Sequence, residues 1–156
     1  MQGTRNERDA AIARNLTLAV LAVLALGMAL NATGLAAPDR GGSAKLVQLI
    51  TMLPMLCYLA AIWTIYRAFA ALARGNAVEG VVATLLVQVG ALMFLGGMLH
   101  VFAEPWLTRF ALGRPWPWAN FDVTAITLGA AGLLLILIAR PLRHAARMRA
   151  ELDGIL

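Results

Sequence analysis

The sequence predicts an all-α integral membrane protein built on a four-helix bundle, and three observations lead there. Of its 156 residues 61% are hydrophobic and only 13% are charged, about half the charge of an ordinary soluble domain. Its mean hydropathy is +0.77. The charges also cluster, leaving four apolar runs of the roughly 20 residues that a helix needs to cross a bilayer. These runs are continuous and do not alternate, so they do not read as the strands of a membrane barrel. Little chain is left over for a soluble domain, and 1–156 reads as a single membrane domain.

The first run covers residues 15–37 and opens NLTLAVLAVLALGMAL. Arg5, Arg8 and Arg14 before it, and GLAAP at its end, resemble a cleavable signal peptide. The expectation is nevertheless a retained anchor. PDRGGSAK then signals a tight reversal into the second run, 46–66, which contains Pro54 and the single cysteine, Cys57. Pro54 frees the Ile50 carbonyl and should kink that helix. One cysteine supplies no disulfide and no metal framework, so packing is its expected role.

Beyond Tyr66 the pattern YRAFAALAR continues helically, with Arg67 and Arg74 seven residues apart on one face. Gly75 offers a helix end, and Asn76 with Glu79 resembles a capping box that opens the third run, 80–102. Residues 103–121 form a loop rich in aromatic side chains, within which Leu107, Phe110 and Ala111 could form one face of a short interfacial helix after Pro105. The fourth run, 122–140, starts at a cap supplied by Asn120 or Asp122. It continues past Pro141 as a C-terminal helical extension through the tail 141–156, where Arg140, Arg143, His144 and Arg147 make a basic stripe, with Arg149 close by.

Lys and Arg placement sets the expected orientation. Nine lie in the N-terminal tail, the second loop and the C-terminal tail, against four (Arg40, Lys45, Arg109 and Arg114) on the other side. Cytoplasmic loops carry such an excess, which predicts N-in/C-in topology with the aromatic loop outside. A sequence pI near 10.7 then reflects this bias and attraction to anionic lipid headgroups. It requires no direct contact with nucleic acid.

Several stretches, namely IYRAFAALARGNAVEG, QVGALMF and IARPLRHAARMRAELDGIL, resemble the bacterial membrane family called domain of unknown function 2975. Tyr66, Arg67, Arg74, Gly75, Gly90, Ala145, Glu151 and the final Ile155-Leu156 stand at that family's pattern positions. The family's several arginines after the glycine are missing here, where the chain reads AVEGVVATLL. The resemblance implies a small four-helix protein of the bacterial inner membrane. It also suggests partnership with a small helix-turn-helix repressor.

Polar groups inside spanning helices are functional suspects. His100 and Glu104 stand four apart on one helical face, where a hydrogen-bonded polar pair is expected, with Asp39 and Asp122 at similar depth. One histidine there falls short of the three or four ligands a zinc ion takes. A haem would need an axial mate from Met52, Met55, Met93 or Met98; neither metal nor cofactor is expected. Asn31, Gln48 and Gln88 do not line one path through the bilayer, which argues against a channel or transporter. Thr51, Thr64, Thr84, Thr124 and Thr127 are expected to bond their own helix carbonyls. Gly90, Gly97, Gly129 and Gly132 allow close helix packing, within the chain or against a second copy or another subunit. Trp106, Arg114, Trp116, Trp118 and Phe121 read as an outer interfacial belt, with a rigid aromatic platform as the sharper alternative.

There is no nucleophile elbow, phosphate-binding loop, dinucleotide fingerprint or HExxH pair, so no catalytic residue is expected. The leading expectation is a non-enzymatic regulatory membrane protein. Arg67, Arg74, Arg140, Arg143, Arg147 and Arg149 would then hold a soluble DNA-binding partner at the cytoplasmic face. The alternative is an accessory subunit packed against a larger membrane complex, and a small transporter comes third.

Overall fold

The computed structural model describes residues 3–36, 41–74, 78–113, 115 and 118–153. Among these residues every regular element is helical. Helix α1 spans Gly3–Ala36, α2 Gly42–Ala73, α3 Val78–Met98, α4 Glu104–Leu112 and α5 Val123–Asp153, with a π-helical turn at Leu99–Ala103 joining α3 to α4. Four stretches are long and apolar enough to cross a membrane: Asn15–Thr33, Gly42–Ala73, Gly80–Leu112 and Val123–Ala145. The third is 33 residues long, about 50 Å of helix, well beyond the ~30 Å hydrocarbon core. Its excess carries α4 and the aromatic side chains past the apolar zone.

Three helical continuations offered by the sequence are present. Within 103–121, α4 occupies Glu104–Leu112, where the sequence offers a short helix around Leu107, Phe110 and Ala111, and it continues the third span. The fourth helix continues past Pro141 as expected, since α5 runs unbroken from Val123 to Asp153. Likewise α2 passes through Pro54 and ends at Ala73, so Arg67 lies within it and Arg74 caps it. Asp39, Gly75, Asn76, Arg114, Trp116 and the closing Ile155-Leu156 lie outside the described residues.

Packing follows α1 to α2, α2 to α3 and α3 to α5, the last pair making the most extensive contact. Helices α1 and α5 make no close approach among the described residues. The bundle is therefore open along that side. Small side chains explain the tight seam of α3 against α5. A Cβ on Gly90 would fall 2.5 Å from the Gly132 carbonyl oxygen, and one on Gly97 2.8 Å from the Ala125 carbonyl oxygen. Backbones this close exchange dispersion contacts that lipid cannot match. Helix α1 is held differently. No residue of its Asn15–Thr33 stretch is buried, and the Gln48 amide on α2 donates to the Asn31 side-chain oxygen at 3.0 Å and also to the Asn31 carbonyl.

Candidate functional site

The turn after α3 is set by Pro105. Proline has no N–H, so the carbonyl four residues earlier, Val101, loses its helical donor. The Asn120 backbone N–H replaces it at 2.9 Å, which fastens the returning loop onto the π turn. Gly113, at φ +60°, ends α4 in the left-handed conformation glycine favours and donates its N–H to the Arg109 carbonyl at 3.0 Å. Asp122 then caps α5, its Oδ1 accepting from the Thr124 N–H at 2.9 Å. The cap expected from Asn120 or Asp122 thus falls to Asp122, while Asn120 serves through its backbone.

This local chemistry assembles a polar cluster. His100 Nδ1 meets Glu104 Oε2 at 2.8 Å, the expected pair, and His100 Nε2 meets Asp122 Oδ2 at 3.4 Å. One imidazole therefore bridges two carboxylates from different elements. A neutral imidazole has one N–H and an imidazolium has two, so donation to both carboxylates requires an extra proton on the cluster. The carboxylates face opposite edges of the ring and do not converge on a point. Among the described residues no three His, Cys, Asp or Glu side chains are placed to share a metal ion.

The cluster opens into a cleft of about 360 Å³ that reaches Asn31 of α1, Met52, Met55 and Tyr58 of α2, and Thr124 of α5. Tyr58 was missed by sequence reasoning, and no periodicity marks it. Its ring lies against Gly96, where a Cβ would come within 2.6 Å of the ring edge. Its hydroxyl is buried, with no hydrogen-bond partner among the described residues. The arrangement sets three clustered polar side chains and the Tyr58 hydroxyl at the mouth of a mostly apolar cleft.

The aromatic side chains stand beside this cleft. Trp106 meets Trp118 edge-on at 5.7 Å and Phe110 at 6.0 Å, and the Arg109 guanidinium lies 4.8 Å over the Trp118 ring. Phe110 and Phe121 are 74% and 84% exposed, as suits rings at a membrane–water boundary. Phe121 also lines a second, apolar groove between the π turn and α5.

At the opposite end, Arg67, Arg74, Arg140 and Arg143 are all exposed. Arg147 and Arg149 also lie on α5. The structure thus brings Arg67 and Arg74 together on α2 and places the α5 arginines on another helix. The four glycines Gly90, Gly97, Gly129 and Gly132 face one another inside the chain, so this face is filled by the protein itself. Of the threonines, Thr51, Thr64 and Thr127 donate to their own helix carbonyls at 2.7–3.0 Å. Cys57 is half-buried in α2.

These features define a multi-pass helical membrane protein with a polar cleft at one end and paired arginines at the other. The chain is similar to NADH-quinone oxidoreductase subunit 14 of Thermus thermophilus, with 36% identity over 128 residues covering 72% of this chain. It spans about 30% of that relative's length. No family model matches the chain, and no solved structure does.

Proposed function

We propose that the protein is an accessory subunit of a larger membrane complex, oriented with both termini in the cytoplasm of a bacterial cell and acting without catalysis of its own. The observation that carries this reading is the similarity to a subunit of NADH-quinone oxidoreductase. Two physical features support it. Among the described residues helix α1 packs only on α2 and leaves its apolar length open, and the bundle is unclosed between α1 and α5. The glycine seam plays no part in docking, because it is consumed by α3 against α5. The docking faces are instead α1 and the open side of the bundle.

A photo-crosslinking residue at Val23, 68% exposed on α1, tests this in native membranes. An adduct with another integral membrane protein is expected. Adducts with lipid alone would refute the α1 docking face. The regulatory reading ranks second. Its helical extensions exist, as α2 and α5 run past their apolar stretches, but the similarity to a complex subunit favours the first reading. Alanine at Arg140 and Arg143 should leave complex membership intact, whereas loss of a co-purifying soluble partner would favour the regulatory one.

A further inference from the structure

The end of the molecule away from the His100 cleft carries a groove of about 380 Å³ between α2 and α3. Its walls are shaped by small residues. Ala68 is buried, Ala71 is half-buried and Gly80 has no side chain. Arg67 and Arg74, two helical turns apart, both line it, together with the polar side chains of Thr84 and Gln88. Neither arginine has a carboxylate within ion-pair distance among the described residues. Arg74 donates from Nε to the Ala70 carbonyl at 3.1 Å, which braces the guanidinium and leaves its terminal nitrogens facing outward from that bond. One turn before Arg67, Trp63 stacks against Tyr66 with ring centroids 5.4 Å apart. Such rings collect at headgroup depth, and the apolar run of α2 ends there.

We propose that this groove is a binding site for the phosphate of an anionic phospholipid headgroup. Guanidinium groups grip phosphate oxygens through paired N–H donors, and the Thr84 hydroxyl and Gln88 amide supply neutral donors beside them. Two cations with no carboxylate in ion-pair range among the described residues, at the depth where phosphates are concentrated, favour a lipid over a soluble anion. The site does not depend on complex membership, and the isolated chain tests it.

The full-length protein is placed in nanodiscs of phosphatidylglycerol or phosphatidylcholine, released, and examined by native mass spectrometry for retained lipid. The wild type should retain phosphatidylglycerol in preference to phosphatidylcholine. Arg67→Gln with Arg74→Gln should lower that retention roughly 25-fold, from about fivefold per arginine at an anionic surface. Arg140→Gln with Arg143→Gln removes the same charge from α5, outside the groove, and should lower retention far less, by no more than the general surface-charge effect. Arg67→Lys with Arg74→Lys keeps charge and fold, and should retain an intermediate amount because paired donation is lost. Unfolding midpoints in phosphatidylcholine discs check that each variant is folded. Equal retention by wild type and the α2 glutamine pair overturns the site, as does equal loss from the α5 pair. Binding of inorganic phosphate in phosphatidylcholine discs, abolished by the α2 pair without any lipid preference, keeps the phosphate site and overturns its lipid source.

Discussion

Replacing Gly132 by alanine would put a methyl carbon 2.5 Å from the Gly90 carbonyl oxygen, 2.6 Å from the Phe94 amide nitrogen and 3.0 Å from the Met93 Cβ. Two of these neighbours are backbone and cannot rotate away. Ordinary contact begins near 3.4 Å, so α3 and α5 must separate locally by about 0.9 Å. Overpacking of this kind costs about 1–3 kcal/mol, against a helix-propensity gain near 1 kcal/mol for Gly→Ala. Gly129→Ala, one turn earlier in the same GAAG run, meets only the Gly97 Cα at 3.9 Å and keeps the propensity gain. The two variants should therefore differ by roughly 2 kcal/mol, about 30-fold in the folding equilibrium. Reversible unfolding in mixed micelles titrated with sodium dodecyl sulfate measures this difference. Gly27→Ala, with nothing within 4 Å, serves as the open-space control. If Gly129→Ala and Gly132→Ala shift the equilibrium equally, the close approach of α3 and α5 at Gly90 and Gly132 is wrong.

Other expectations follow from the site. Asp122→Ala should destabilise the fold by about 1 kcal/mol through loss of the α5 cap, whereas Asp122→Asn keeps the capping oxygen and should cost less; amide exchange at Thr124 separates the two. Pro105→Ala restores a backbone donor that competes for the Val101 carbonyl, so exchange of the Asn120 amide should accelerate several-fold while α2 and α3 exchange as before. Gln48→Leu removes the polar tie to Asn31 and should weaken α1 against α2 by about 0.5–1.5 kcal/mol, read from unfolding midpoints. No change there would mean that apolar packing alone holds α1.

Much of the architecture is legible because the bilayer imposes it. An apolar run long enough to span must be helical to satisfy its own backbone, and charges sit only where the runs end. The pairing of His100 with Glu104 follows from spacing on one helix. What escapes are relationships set by the path of the chain between helices. Asp122 reaches His100 across 22 positions only because Asn120 pins the returning loop to Val101. The signal for that was present in Pro105, since the rule that frees Ile50 before Pro54 also frees Val101 before Pro105. Tyr58 had no such signal: its place depends on Gly96 leaving room for the ring, a contact between helices that no local pattern encodes. Gly129 and Gly132 likewise look alike in the sequence, and only the register of α3 against α5 separates them.

Membership in a larger assembly is the central claim, and its most direct test is gentle extraction from native membranes. The tag belongs in the 113–122 loop, so that both termini stay free, and co-purifying chains are quantified by mass spectrometry. The account predicts a defined set of integral membrane proteins in fixed ratio to this chain, retained when Arg140 and Arg143 are replaced by alanine. Recovery of the chain as a free monomer, or with a soluble DNA-binding protein as its stoichiometric partner, would contradict it.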